Sequence, residues 1–451
     1  ADITVTLQNK SYLKCINHKC GKEYPIHVFD FNCTCGNLLD VIYNETPSQH
    51  LKEVFSQRRN PQGSIFNESG VWRFRELLNF CEIDTDDLTQ CSQHLVSLDG
   101  AEGRQSKPYH MSKVAQFVGI ENEKLMLQPE GYNPSGSFKD NGMSAAVTHA
   151  KLVGAKKIIC ASTGNTSASA GMFAANENMG CDVYIPEGEI APGKLSQAYQ
   201  FGTQMIQVNG NFDDAFTKSL SAAKEPGSYT VNSINPFRIE GQKTIPYRTL
   251  EYLDWKTPDW IVYPGGALGN TSSCGKCLME LYEWGWIKKI PRIAVINAEG
   301  ANTLDVLYNG KFEDTELRWN KGNFDTELIE RYYTKMNDDG IRPKTKATAI
   351  QIGKPSNILK GLRALEYTNG VVISVTDKEM LDGMSVVGLN GFDCEMASGA
   401  VPAGIKKLLN DNIIKKDDEI VGILTGRQKE PLLPINYHND PTNKFAKPPK
   451  R

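Results

Sequence analysis

From Lys157 to Asn297 the chain alternates short apolar, β-rich runs with stretches of helical periodicity. The runs are Lys157–Ala161, Asp182–Ile185, Met205–Val208, Tyr229–Asn232, Trp260–Tyr263 and Ile293–Asn297. This beat predicts right-handed strand–helix–strand crossovers and a mostly parallel sheet covered by helices on both faces, so the fold class is α/β. Ligands on such sheets bind beyond the carboxyl ends of the strands, which directs attention to the loops that follow them. Ahead of this section, Thr46 to Pro108 is polar and charged, with helical patches at Trp72–Phe80 and Asp84–Leu95. It predicts a helical layer added to the main body.

The first 45 residues break the pattern. Cys15, Cys20, Cys33 and Cys35 place two thiols on each side of a strand-like stretch, Tyr24–Phe31, and Gly36 follows the last of them. Paired thiols on two knuckles are how a small ribbon holds tetrahedral zinc. The spacings are C-x4-C and C-x-C rather than C-x2-C, and His18 offers a substitute ligand. A filled zinc site and a ribbon that keeps its shape without metal both fit this pattern. The remaining cysteines of the eleven are scattered, which suits reduced thiols. Cys274-Gly275-Lys276-Cys277 lies in a helical stretch and reads as packing rather than as a redox pair.

Composition narrows the function classes. With 451 residues, 40% of them hydrophobic, the chain is long enough for two or three buried cores. Its net charge of −3, from 50 basic and 53 acidic residues mixed along the length, supplies no field for nucleic acid or an anionic membrane. The one basic run, Lys444–Arg451, reads as a solvated end. No stretch approaches the roughly 20 apolar residues of a membrane span, and a cytoplasmic protein is expected.

Three segments carry candidate chemistry. In Asn133-Pro134-Ser135-Gly136-Ser137-Phe138-Lys139-Asp140 a lysine sits in a small-residue turn, where an amine can act as a covalent catalyst toward a carbonyl; pyridoxal phosphate is the leading cytosolic partner. After the run ending at Ala161, Ser162-Thr163-Gly164-Asn165-Thr166-Ser167 leads into an Ala-rich helix. Free amides and the helix dipole make this a cradle for carboxylate or phosphate, and one cap residue would have sufficed for a plain helix start. After the run ending at Tyr263 comes Pro264-Gly265-Gly266-Ala267-Leu268-Gly269-Asn270, whose glycines let backbone approach a phosphate. It matches neither the dinucleotide fingerprint nor a P-loop.

Taken in this order, the segments resemble the fold-type II pyridoxal-phosphate enzymes, and the threonine synthases among them. Ala161–Ser167, Asn232-Ser233-Ile234-Asn235-Pro236-Phe237-Arg238, Glu240-Gly241-Gln242-Lys243-Thr244 and Leu424-Thr425-Gly426 carry the resemblance over nearly the whole length. It implies two doubly wound open sheets, with a ribbon-like segment at 1–45 and a helical layer at 46–108. It also implies a smaller α/β domain at 136–245 holding the lysine, and a large cofactor domain at 109–135 and 246–451. By the same resemblance Lys139 is the catalytic residue and holds the cofactor as a Schiff base. Asn165 contacts its ring hydroxyl, the backbone of Gly265, Gly266, Ala267, Leu268, Gly269 and Asn270 its phosphate, and Thr425 its ring nitrogen. Ser162, Thr163 and Asn165 receive the substrate carboxylate, and Thr166, Ser233 and Arg238 the phosphate of O-phosphohomoserine, since Arg presents a planar fork to phosphate oxygens.

Three departures touch this assignment. The glycine loop lacks the asparagine that many members carry in its first half, Glu395-Met396-Ala397-Ser398 lacks the proline of the family's Glu-Pro-Ala-Ser, and Arg427-Gln428-Lys429 follows Gly426. The competing readings are a serine or threonine dehydratase, a phosphoserine-using sulfur-transfer synthase, and a non-catalytic binding protein on the same fold. A homodimer acting on a small molecule, without nucleic acid or membrane partners, completes the expectation.

Overall fold

The computed structural model describes residues 10–60, 63–162, 164–188 and 192–448. Among them twelve strands run in chain order. Near the N-terminus are β1 (Ser11–Cys15), β2 (Glu23–Tyr24) and β3 (Leu39–Tyr43). β4 (Leu125–Pro129), β5 (Lys157–Ala161), β6 (Gly180–Pro186), β7 (Gln204–Val208) and β8 (Ser228–Thr230) follow, and then β9 (Trp260–Pro264), β10 (Arg292–Ala298), β11 (Val371–Val375) and β12 (Ile420–Leu424).

They form three sheets in two compact units. One unit takes the described residues up to Gln105 together with Asn133–Tyr247; the other takes Ser106–Tyr132 and Arg248 onward. The first unit holds an antiparallel ribbon, in the order β2-β1-β3, and a parallel four-stranded sheet, β7-β6-β5-β8. The second holds a parallel five-stranded sheet, β11-β10-β9-β12-β4. All five residues of β9 and of β12 are buried, as strands covered by helices on both faces must be. The ribbon and the helical stretches around Trp72 and Leu88 belong to the first unit.

Six expected strands correspond to β5 through β10. β4, β11 and β12 lie outside that run, although Ile-Val-Gly-Ile-Leu is a fully buried strand and Val-Val-Ile-Ser-Val a partly buried one at the sheet edge. Long helical stretches separate β11 and β12 from the regular beat. Two stretches depart from expectation. The strand expected at Tyr24–Phe31 pairs only through Glu23 and Tyr24, because Pro25 has no amide to donate and the chain then bends. Trp72–Leu78 is a 3-10 helix broken at Phe74 rather than a regular α-helix.

Five helices carry or flank the site residues: α1 (Lys139–Leu152), α2 (Asn165–Asn176), α3 (Pro236–Gln242), α4 (Gly269–Glu283) and α5 (Met396–Asn410). In the first unit α1 and α3 cross backbone to backbone. A Cβ on Gly241 would stand 2.1 Å from the Asn141 carbonyl oxygen, and one on Gly142 2.8 Å from the Arg238 carbonyl oxygen. Only glycine fits at this crossing, which fixes the helix of Lys139 against that of Arg238. No helix among the described residues is long and apolar enough to cross a membrane.

Candidate active site

Lys139 opens α1, and the loop before it is shaped by Asp140. Gly136, at φ +93°, turns the chain, and its amide donates to the Asn133 carbonyl at 2.8 Å. The buried Asp140 carboxylate then accepts from the Ser135 amide at 2.8 Å, the Ser135 hydroxyl at 2.5 Å and the Ser169 hydroxyl at 2.6 Å. A carboxylate in the first helical turn also suits the helix dipole. Because Ser169 lies on α2, Asp140 ties the lysine turn to the hydroxyl-rich loop. The Lys139 amine lies over the Phe138 ring, 4.5 Å from its centre.

In the second segment Ser162 works on its own loop. Its hydroxyl oxygen accepts from the amides of Gly164 at 3.1 Å and Ser167 at 3.2 Å, while the Ser167 hydroxyl donates to the Gly164 carbonyl at 2.6 Å. The Ser162 hydroxyl proton remains for a carboxylate. Asn165 and Thr166 begin α2 and are buried. Thr163, expected beside them, lies outside the described residues.

The third contribution to this unit comes from α3. Asn235 caps it by accepting from the Phe237 amide at 2.9 Å, Pro236 supplies the first helical residue, and the Asn235 amide group donates to the Thr230 carbonyl at 2.9 Å. Ser233 is buried just ahead of the cap. Arg238 is 1% exposed, not a surface helix residue. Its guanidinium donates to the Gln242 side chain at 2.8 Å and to the Val231 carbonyl at 3.3 Å, and its Nε has no partner among the described residues. Burial pulls its pKa down to about 10 against the opposing pull of Cys160, and no carboxylate among the described residues pairs with it. Buried Cys160 registers two nearby cations: burial pushes its thiol up to about 12 despite the opposing pull of Arg238 and Lys139. A buried cation without an anion is costly to keep, so this one calls for an anionic ligand.

In the second unit, the loop after β9 is built differently. A Cβ on Gly265 would come within 2.5 Å of Val295 and 2.8 Å of the Asn297 side-chain nitrogen, which itself donates to the Gly265 carbonyl at 3.1 Å. Leu268 takes a left-handed conformation, φ +72°, immediately before α4. Carbonyls of Gly265, Ala267 and Leu268 are engaged by Asn297, Asn357 and Ser272. The amides of Gly266, Ala267 and Leu268 donate to no described residue, and the buried Thr271 hydroxyl has no partner either. Orphaned amides and a hydroxyl at the start of a 15-residue helix fit a phosphate. Asn270, the last residue of the expected loop, is buried in the first turn of α4.

Thr425 follows β12 and is 5% exposed. Its hydroxyl donates to the Glu395 carboxylate at 2.8 Å and lies 3.0 Å from the Ser398 hydroxyl, which accepts the Thr425 amide at 2.8 Å. Gly426 makes room for Glu395, since a Cβ there would meet its carboxylate at 2.9 Å. With its proton directed to Glu395, the Thr425 oxygen is left to act only as a hydrogen-bond acceptor. Glu395 and Ser398 had no role in the sequence reading, although the segment containing them was singled out; Asp140, beside the lysine, also went unassigned.

A family model described as pyridoxal-phosphate dependent enzyme matches residues 107–426. The threonine synthase of Methanocaldococcus jannaschii is 36% identical over 430 residues, covering 95% of each chain. That of Methanosarcina acetivorans is 33% identical over 435 residues, covering 96% of this chain and 95% of its own. Among solved structures, threonine deaminase isoform 2 from Solanum lycopersicum superposes with a TM-score of 0.55 at 17% identity, over 73% of this chain and 86% of that one. Maize serine racemase gives 0.54 at 18% identity, over 74% and 91%. At such identities the structural likeness speaks for the fold alone. On the sequence relationship, the chain belongs to the pyridoxal-phosphate-dependent enzymes and, within them, to the threonine synthase family.

Proposed function

We propose that this protein converts O-phosphohomoserine and water into L-threonine and phosphate, the last step of threonine biosynthesis. The observation that carries this reading is Arg238, a buried guanidinium without an anionic partner among the described residues, on a helix locked by two glycines against the helix of Lys139. A phosphorylated side chain supplies the missing anion, and a guanidinium fork holds it through charge-assisted hydrogen bonds.

The residues present suit pyridoxal phosphate. Lys139 would hold its carbonyl carbon, Asn165 its ring hydroxyl, the Gly265–Asn270 backbone with Thr271 its phosphate, and Thr425 its ring nitrogen. When bound, the cofactor supplies the electron sink that makes a proton on the substrate's Cα acidic. Lys139, with its amine free, would take that proton. Ser162, Thr163 and Asn165 orient the α-carboxylate, while Thr166, Ser233 and Arg238 hold the phosphate at Cγ. A second proton leaves Cβ, phosphate departs from Cγ, water adds at Cβ, and protons return to Cγ and Cα. Lys139 serves one carbon, and the departing phosphate, held by Arg238, is the base for the other.

A dehydratase has no substrate phosphate to bind and gives Arg238 no task. Purified protein should absorb in the visible, lose that band with borohydride, and release threonine and phosphate in equal amounts from O-phosphohomoserine. A colourless protein would sink the cofactor assignment, and phosphate without threonine would mark an eliminating lyase. The reading carries with it a cytoplasmic homodimer, checked by cell fractionation and by mass in solution.

A further inference from the structure

We propose that Cys15, Cys20, Cys33 and Cys35 bind one zinc ion, and that the ion fixes the N-terminal ribbon as a buttress behind the helix of Arg238. The first half is independent of the function proposed above; the second rests on it.

The donor atoms of these four cysteines all lie within 4.8 Å of one another, and none is in a disulfide. Cys15 and Cys35 sulfurs stand 3.5 Å apart and those of Cys20 and Cys33 3.6 Å. A tetrahedron with zinc–sulfur bonds of about 2.3 Å has edges of about 3.8 Å, so small shifts would seat the ion. His18 is exposed and not one of the donors brought together. Two turns present the thiols. The Cys20 and Gly21 amides donate to the Asn17 carbonyl, and the Gly36 amide to that of Cys33. Gly21 and Gly36, directly after the second cysteine of each pair, sit at φ +60° and +92°, where a side chain would be strained. Donors already face the sulfurs: the Asn17 amide to Cys15 at 3.4 Å, Tyr24 to Cys33 at 3.2 Å and the Asn37 side chain to Cys35 at 3.4 Å. Such contacts stabilise metal-bound thiolates. Strands of five, two and five residues are too short to hold a ribbon alone, and a metal makes up the deficit.

What the ribbon touches assigns the ion's use. The Ile26 carbonyl accepts from His149 Nε2 at 2.6 Å, and the His149 ring stacks on Phe237 with centroids 3.6 Å apart. Phe31 packs edge-on against Tyr229 and Phe237, with centroids 5.3 Å and 6.0 Å away. Phe237 immediately precedes Arg238 on α3. The ribbon therefore packs on Phe237, the neighbour of Arg238, and through it bears on the placement of the guanidinium; an ordered ribbon requires its four thiols to be held together.

Elemental analysis of reduced protein purified without added metal should give about one zinc per chain, and denaturation without reductant should expose all eleven thiols. Metal-free protein, iron in place of zinc, or only seven reactive thiols of the eleven, which would mean two disulfides, would each overturn the site. Cys35→Ser, at the exposed ligand, should lose the zinc and raise KM for O-phosphohomoserine by about tenfold, with the cofactor absorption at full occupancy. Phe31→Ala keeps all four thiols, so it should retain zinc while raising KM in the same direction. Unchanged KM in the folded Phe31→Ala protein would overturn the buttress. Should wild-type protein make no threonine, the substrate reading fails and the zinc count still stands.

Discussion

The two units each offer a place for an anion, and they build it by opposite means. In the first unit the anion would meet a buried arginine and a set of hydroxyls on side chains. In the second it would meet bare amides of Gly266, Ala267 and Leu268, with one threonine hydroxyl. Amides at a helix start carry no net charge and cost little when empty, so they suit a resident cofactor. A buried guanidinium without a counterion is expensive when empty, and it discriminates strongly for what completes it. The contrast separates a general cofactor contact from a specific substrate contact.

The lysine stands outside that contrast and sets its scale. Lys139→Ala removes both the covalent attachment and the proton carrier, and should lower kcat by about ten-thousandfold or more, measured as threonine formed. The variant should bind pyridoxal phosphate without a borohydride-stable adduct. Residual activity within tenfold of wild type would place the covalent amine elsewhere.

Arg238→Met tests the charged side of the comparison directly. Losing two charge-assisted hydrogen bonds, at about 1.5 kcal/mol or more each, should cost about a hundredfold in kcat/KM for O-phosphohomoserine. Because the wild-type cation is buried without a carboxylate partner among the described residues, the same variant should lose no thermal stability in the absence of substrate. An inactive and less stable variant would mean that Arg238 serves the fold rather than the ligand.

Gly265→Ala tests the amide side. The new Cβ would press on Val295 and on the Asn297 side chain that anchors the loop, so the strain should fall on cofactor binding. Overpacking of about 1–3 kcal/mol predicts a rise of about fivefold or more in the Kd of pyridoxal phosphate, read by absorbance titration. KM for the phosphorylated substrate, at saturating cofactor, should move little. If KM rises and cofactor affinity holds, the roles assigned to the two anion sites are reversed.

What sequence made legible in this comparison was local. Lys139, the run from Ser162 to Ser167 and the glycine loop are each contiguous, and each follows a recognisable strand or turn. The parts that give them geometry come from distant residues. Gly142 and Gly241 make the crossing of α1 and α3, Asn232 holds the end of β5 by pairing its side chain with the Ala161 backbone at 2.9 Å in both directions, and Glu395 sets the direction of the Thr425 hydroxyl. A glycine needed for close approach looks like any other glycine, and a carboxylate that acts through a hydroxyl 30 residues away leaves no periodic trace. The zinc pattern was visible as thiols but not as a support for α3, because Ile26 and His149 meet across 123 residues.

That long-range contact supplies the smallest effect and sharpens the division between structure and chemistry within the first unit. His149 is buried and neutral: its Nε2–H donates to the Ile26 carbonyl, and its Nδ1 accepts from the Tyr229 hydroxyl at 2.7 Å. Burial lowers its pKa from 6.5 to about 3, and neighbouring His27 further disfavours a charge there. In the unfolded chain the same imidazole takes up a proton below about pH 6.5, so unfolding gains a proton that the folded state refuses. Its contribution is complete above that pH, is lost at up to about 1.4 kcal/mol per pH unit as pH falls, and levels off near pH 3. His149→Gln removes this titration. Urea denaturation between pH 4 and 8 should show a lower stability at pH 7 and a shallower decline on the acid side than in wild type. Equal slopes in the two proteins would mean that the His149 ring is solvated and that the ribbon does not seal against it.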